Sequence, residues 1–590
     1  MAQGRQLLVE VHPHLLKDIG YIFRLRTYCA CNRINETLIL LHKLSPCRLI
    51  SVQTAADQLI INAQFNAAHL IDSPDANNYH RGQVQKKNTS GTAEFCAISV
   101  FALILFLPYR AIQYDANGIE EARYIEGGQL FQKNHMLYRP ASYAVYSAAK
   151  TAGYRGNALG VLQVLSAIFG AIGVGLCYLL CESRVKDRLA ALVGAFWLGT
   201  SFTYWCFSTD AGYIVLAGVF VLGALVAIVR GKSWTASIVA ALAVLTWQAN
   251  IFAVPVIATI TRRPSNNGPT LSQRGRGNDF KIVPLPLGEG GAKRRVRVAV
   301  ATILLIAIVY ISIALLQGYS TPAAILHWVS TYGEGSIPLP LWGTWAWDRI
   351  PAASLSALRS IIPILLAARP SELTQHIQLG RIAVDISLIA FVVLLGLAAL
   401  RADRKSLVFF AGYVIFLPFI IWWDPYEPKW FLVPNIFLAG FLASSLAPWL
   451  GHKYMRVVVL GSVLAIAATN FITTIRPRHT KLGPDREMAR CVADKMNSND
   501  LFVSAEWGWS EYLGYLHGRQ SVNLINDGIS NVKERIRAVR DGGGNIFMLD
   551  PGTYSQEHME WLRNQTGLRR DDLMGLFTES QAVTPPPSCR

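Results

Sequence analysis

No DxD, HExxH or GxSxG pattern occurs in any loop that the hydropathy profile places outside a membrane, so neither metal dependence nor acyl-enzyme chemistry has direct support. No cofactor is implied, and a divalent-metal requirement is left open. The nine cysteines include no CxxC pair, which removes the usual zinc and redox spacings. Cys177 and Cys181 lie one turn apart in an apolar run and read as small buried hydrophobes, while Cys29-Ala30-Cys31 is too tight for zinc. A Cys491–Cys589 disulfide is available if the tail lies in an oxidising compartment. Residues 1–93 contain no apolar signal core followed by a small-residue cleavage site, so no targeting signal is expected ahead of the first span.

What the chain does have is apolar surface. Of its 590 residues 52% are hydrophobic, and the mean hydropathy of +0.30 is too high for a soluble protein of this length. Runs such as 158–181, 381–400 and 431–450 are long enough, at about 1.5 Å per helical residue, to cross a hydrocarbon layer of about 30 Å. The net charge is +17 and the pI near 9.5, values that suggest nucleic acid in a soluble protein. Here much of the excess lies in short loops beside apolar runs (Arg184, Lys186, Arg188; Arg230, Lys232; Arg401, Arg404, Lys405; Lys453, Arg456). That is the pattern of cytoplasmic loops, so the charge encodes topology and no nucleic-acid partner is expected.

Apolar runs fall at 94–110, 158–181, 188–206, 212–229, 234–260, 297–316, 381–400, 406–423, 430–449 and 456–474. The run 234–260 has basic residues at both ends, which a single span would place on opposite sides. Two short helices turning at Trp247-Gln248-Ala249-Asn250 keep both ends inside. The expectation is a mainly α, polytopic helical membrane protein of about eleven spans, with a cytoplasmic N-terminus and a small extracytoplasmic C-terminal α/β domain. Residues 1–93 read as a poorly structured cytoplasmic region ending in a linker at 79–92, residues 94–475 as the transmembrane domain, and 476–590 as the tail domain. The Gly/Pro/Arg-rich stretch 262–297 reads as a flexible cytoplasmic insertion, similar to a translated interspersed repeat. The run 358–368 is too short for a span and suits an interfacial or re-entrant helix. In the tail, helices are expected at 485–496, 510–517 and 529–540, and strands at 501–504, 521–524 and 545–549.

Candidate chemistry lies in the outside loops. The first opens Tyr114-Asp115-Ala116-Asn117-Gly118 and continues through Glu120, Glu121 and Glu126 to Leu137-Tyr138-Arg139-Pro140. An acid directly after a membrane exit can act as general base toward a hydroxyl or amine at the bilayer surface, or it can simply cap a helix; Asp115 is the first candidate. Glu120 and Glu121 read as orienting or solvated acids. The short loop Phe207-Ser208-Thr209-Asp210-Ala211-Gly212-Tyr213 supplies a second acid, Asp210, for substrate contact or capping, with Tyr213 beside it. In Trp422-Trp423-Asp424-Pro425-Tyr426-Glu427-Pro428-Lys429-Trp430, Lys429 runs against the charge bias of an outside loop and suits a lipid phosphate. The loop carrying His327, Trp328, Tyr332, Glu334, Trp342, Trp345, Trp347 and Asp348 is aromatic-rich, as interfacial anchoring or sugar stacking would require.

This arrangement resembles the polytopic GT-C glycosyltransferases, which include protein O-mannosyltransferases and aminoarabinose transferases; the resemblance is one of topology and loop motifs over residues 94–475. It implies a polyprenyl-phosphate-linked sugar as donor, hexosyl or pentosyl transfer with inversion, and a lipid, glycan or protein acceptor on the extracytoplasmic face of a bacterial-type inner or plasma membrane. It matches Asp115 to the family's first-loop acid, with Glu120, Glu121, Arg139, Asp210, Tyr213 and Lys429 as substrate-binding candidates and Lys429 or Arg139 as the cation for the lipid phosphate. Many relatives carry a second acid beside the first, or a His-Pro-Pro-type stretch; here Ala116 follows Asp115, and Tyr138-Arg139-Pro140 stands in the loop. Two other readings compete: a transporter or flippase of a lipid-linked solute, which predicts charges within spans and internal repeats, and a non-catalytic membrane scaffold, which predicts a dispensable Asp115.

Overall fold

The computed structural model describes residues 87–112, 115–260, 289–332, 337–338, 343, 345–363, 375–505, 508–524, 527, 529–549, 559, 562–563, 569–578 and 581–583. Most of the expected N-terminal region and of the 262–297 insertion, as well as Tyr114, Glu334 and Trp342, lie outside them. Within that set the predicted apolar runs are helical. Seven helices are long and apolar enough to cross a membrane, one further pair qualifies as a single bent span, and three shorter apolar helices (Tyr213–Val229, Ser233–Thr246 and Gln248–Thr259) occupy the remaining runs. The first helix starts at Lys87, inside the stretch expected to be a linker. Once the apolar span is helical, extending it backwards gains a backbone hydrogen bond per residue without a new nucleus.

Burial identifies the centre of the bundle. The span Pro428–Leu450 is 89% buried and Ala158–Val185 67%, against 11% for Gly91–Tyr109, so the first two form the axis and the last faces outward. The run at 234–260 breaks where the basic flanks require it: Ser233–Thr246 ends, Trp247 is extended (φ −155°, ψ 114°), and a 3-10 turn, Gln248–Phe252, leads into Ala253–Thr259.

A second break shapes the functional end. Helix Arg188–Thr200 stops at Ser201, and Phe202–Ser208 leaves at 64°. An open helix break in an apolar bundle strands backbone groups, at a cost of several kcal/mol each. The chain fills this one. The amides of Phe202 and Thr203 donate to the carbonyls of Ile361 (3.1 Å) and Ser360 (2.9 Å), and Asn470 Nδ2 donates to Thr200 O (2.7 Å) and Ile361 O (2.8 Å). Asn435 Nδ2 donates to Ser360 Oγ at 3.0 Å. The buried plug is therefore the non-helical stretch 360–362, which follows helix Arg349–Arg359. Of the run 358–368 expected as a helix, 358–359 are helical, 360–363 are not, and 364–368 lie outside the described residues.

The tail is an α/β unit. Strands Gln520–Asn523, Leu501–Ser504, Ile546–Leu549 and Gln581–Val583 lie side by side in that order, all parallel, with Leu501 opposite both Gln520 and Ile546. Parallel strands need crossovers, and Ile529–Asp541 supplies the helix between Gln520–Asn523 and Ile546–Leu549, the two strands that flank Leu501–Ser504, burying Val532 and Ile536. Cys491 is disulfide-bonded; the other four described cysteines are free.

Candidate active site

The first loop begins as the opening span ends in the 3-10 turn Leu107–Tyr109. The chain is then held extended: the Ala111 amide donates to Thr209 O at 2.8 Å and the Ile112 amide to Arg478 O at 2.9 Å, while Arg486 donates to Ile112 O. Asp115 is the N-cap of helix Ala116–Glu126. Its Oδ1 accepts from the Asn117 amide (2.8 Å) and from Asn117 Nδ2 (2.7 Å). Its other oxygen, Oδ2, accepts no hydrogen bond among the described residues. Capping and a free oxygen thus coexist in one carboxylate. Burial pushes this group up, but Lys429, the Asn117 hydrogen bonds and Arg478 outweigh it and hold the carboxyl below its ordinary value, hence ionised at neutral pH.

Asp210 sits behind Asp115, fully buried. Its Oδ2 accepts from the Asp115 amide (2.8 Å) and from Arg478 Nη2 (2.8 Å), and its Oδ1 from the Ala211 amide (2.7 Å). This acid belongs to the frame that holds the first loop rather than to an open face. The frame is tight: a Cβ on Gly118 would collide with the Ala211 carbonyl, so only glycine lets the first-loop helix lie against this loop.

The rest of that helix carries a buried charge cluster. Arg139 forms a two-point pair with Glu121 and stacks its guanidinium 4.0 Å from the centre of the Tyr124 ring. Both partners are internally neutralised, so neither Glu121 nor Arg139 is open to a substrate here. Glu120, 7% exposed, makes no hydrogen bond or ion pair among the described residues. Burial, then the neighbouring Glu511 and Glu121, push its carboxyl up to about 8, so it is protonated at neutral pH. Glu511 comes from the tail and is buried, with Arg123 3.7 Å away. The tail also contributes Tyr515, whose hydroxyl donates to Glu126 (3.0 Å), the acid that accepts from the Ala158 amide (2.6 Å) at the start of a central span. The tail is therefore packed along the first-loop helix.

Lys429 lies on the 3-10 turn Pro428–Phe431, its Nζ 5.0 Å from the Trp430 ring centre. It makes no hydrogen bond or ion pair among the described residues, and its charge acts chiefly on Asp115. Trp430 stacks on Trp247 at 5.6 Å, bringing the broken 234–260 run to the same place. Tyr213 is packed, not open: His135 stacks on it at 3.5 Å and donates from Nδ1 to the Thr246 carbonyl at 3.3 Å. Burial lowers the His135 imidazole to about 4, so it is neutral.

Of the residues singled out from sequence, Asp115 and Lys429 therefore keep uncommitted polar atoms, Glu120 is a protonated buried acid, and Glu121, Arg139, Asp210 and Tyr213 are packed around them. Arg478 and Glu511 were not anticipated. The only local signal for Arg478 was a basic residue at the end of the last span, on the side that the charge pattern was expected to place outside. Among the described residues no three His, Cys, Asp or Glu side chains come together as a metal-binding group.

No family model matches the sequence, and no curated protein matches it. Among solved structures the chain is similar to that of ArnT from Cupriavidus metallidurans bound to undecaprenyl phosphate, with 12% identity, 76% of this chain and 88% of that one covered, and a TM-score of 0.45. It is also similar to the archaeal oligosaccharyltransferase AglB from Archaeoglobus fulgidus in complex with an inhibitory peptide and a dolichol-phosphate, with 10% identity, 81% and 72% covered, and a TM-score of 0.42.

Proposed function

We propose that the protein is an integral membrane glycosyltransferase that moves a sugar from a polyprenyl-phosphate carrier to an acceptor at the extracytoplasmic surface, with inversion and with Asp115 as general base. The observation that carries this reading is the pairing of two charges at one end of the bundle: Asp115, capped on one oxygen and with no hydrogen bond to the other among the described residues, and Lys429, whose ammonium forms no hydrogen bond or ion pair among the described residues. In the reaction an acceptor hydroxyl or amine gives its proton to Asp115 Oδ2 as its lone pair forms the new bond to the anomeric carbon. The bond from that carbon to the phosphate oxygen breaks, and polyprenyl phosphate leaves with the electron pair, its charge met by Lys429.

A carboxylate held low by a cation is a weak base, and the same geometry relieves that. Lys429 is the strongest of the charges that lower Asp115. When a phosphate pairs with Lys429, the local field is cancelled and the carboxylate becomes more basic, so the base is armed only when the donor is seated.

Membranes containing the protein, supplied with a panel of radiolabelled polyprenyl-phosphate sugars, are expected to transfer label from at least one of them, with Lys429→Met raising the donor KM. Absence of transfer from every donor on the panel, in membranes where the protein is intact, contradicts the reading.

A further inference from the structure

The Asp210 carboxylate is held by the protein itself. Three donors reach it: the Ala211 amide on Oδ1, and the Asp115 amide and Arg478 Nη2 on Oδ2, all within 2.8 Å. It is 0% exposed, and the Arg478 side chain is 22% exposed. These groups come from three places in the chain: the first loop, the loop after the bent span, and the short helix Arg476–Thr480 that closes the last span and opens the tail. Two acids 95 residues apart are thus brought together by a guanidinium 268 residues beyond the second.

We propose that Arg478 is a positioning residue for the transfer reaction: as a resident cation on Asp210 it fixes the backbone amide, and so the carboxylate, of Asp115. This deepens the glycosyltransferase reading and rests on it for the catalytic part. Two further contacts point the same way. The Arg478 carbonyl accepts from the Ile112 amide at 2.9 Å, and its neighbour His479 donates to the Arg110 carbonyl at 2.8 Å, so residues 110–112, just ahead of Asp115, are held at two points by the Arg476–Thr480 helix. Burial pushes the Asp210 carboxyl up to about 7 and Arg478 opposes that, favouring the ionised form that accepts the Asp115 amide. The guanidinium is a permanent cation and a planar donor that also sets direction.

The charges that lower the Asp115 pKa are Lys429 and Arg478. Loss of Arg478 therefore moves the acid limb of kcat/KM to higher pH, whereas a loss of structure alone lowers the rate without moving that limb.

The test uses full-length protein in nanodiscs: wild type, Arg478→Ala and Arg478→Lys. Hydrogen exchange over peptides covering 111–119 is read first, because it needs no substrate. Arg478→Ala is expected to lose protection there, with partial recovery in millimolar guanidinium and in Arg478→Lys. In transfer assays kcat is expected to fall about 10²-fold for Arg478→Ala, with donor KM little changed, as expected of a base displaced by about 1 Å. Unchanged protection at 111–119, or an acid limb of kcat/KM that stays in place in Arg478→Ala, overturns the proposal. If the wild type transfers no sugar, the glycosyltransferase reading fails and the exchange data alone decide the positioning. Should Arg478→Ala not fold, Arg478→Gln takes its place in both readouts.

Discussion

Glu121 and Arg139 face each other across the first loop in a two-point ion pair, Nε to Oε2 at 2.8 Å and Nη2 to Oε1 at 3.1 Å, with side chains only 3% and 4% exposed. A buried pair of this kind repays the desolvation of its charges only while both partners are present. Breaking it from one side leaves an uncompensated charge and costs about 3–5 kcal/mol, whereas replacing both partners with apolar residues of similar size is often close to neutral. Thermal unfolding of the solubilised protein is therefore expected to show Glu121→Leu and Arg139→Met each strongly destabilised and the double variant nearer to wild type. A double variant that loses the sum of the two single losses contradicts the pair.

Glu120 makes a separate prediction, in pH. Its carboxyl is at about 8 in the fold against an ordinary 4.5, so folding favours its protonated form. The stabilisation is full below the ordinary value and is lost as pH rises through about 8. Glu120→Gln mimics the protonated acid at every pH. Its melting temperature is expected to exceed that of wild type above pH 8, by about 2 °C or more, and to match it near pH 5. An equal difference at both pH values removes the titration from the account.

Lys429 is expected to tie donor binding to proton transfer. For the wild type, the acid limb of kcat, which reports the donor-bound enzyme, should lie at higher pH than the acid limb of kcat/KM, which reports the free enzyme. Lys429→Met should raise the second toward the first. Limbs that coincide in wild type would show that the donor phosphate does not reach the field of Lys429.

Close packing of the first loop rests on one glycine. Gly118→Ala forces the helix off the Ala211 carbonyl and is expected to cost about 1–3 kcal/mol and most of the transfer activity. Gly461→Ala is the control: it stands in a helix with open space around its Cα, and is expected to be neutral or slightly stabilising. Equal behaviour of the two variants, by melting temperature and activity, contradicts the contact.

Much of this was legible before any coordinates. Period-2 and helical patterns located three tail strands and the helices between them to within a few residues, because those signals are local. The break at Trp247 followed from basic residues at both ends of one run, a topological argument that needs no tertiary contact. Asp115 stood out for its position after a span, and capping was the alternative role that the same position offered. What was not legible shares one property: it depends on residues far apart in the chain. Asp210 reads equally as a helix cap or a substrate contact because nothing nearby reveals Arg478, 268 residues away. Arg139 reads as an alternative to Lys429 for the phosphate because its partner Glu121 lies on another helix. The role of 360–362 has no local signal in the run 358–368, since it is set by the Phe202 and Thr203 amides and by the side chains of Asn435 and Asn470.

The most direct measurement is sugar transfer by Asp115→Asn beside wild type, from one polyprenyl-phosphate sugar that the wild type uses, with donor binding measured in parallel. Asparagine preserves the cap through its carbonyl oxygen and removes the base. Donor affinity is expected to hold within a few-fold while kcat falls by about 10²–10⁴. Transfer that survives the substitution at the wild-type rate contradicts Asp115 as the base.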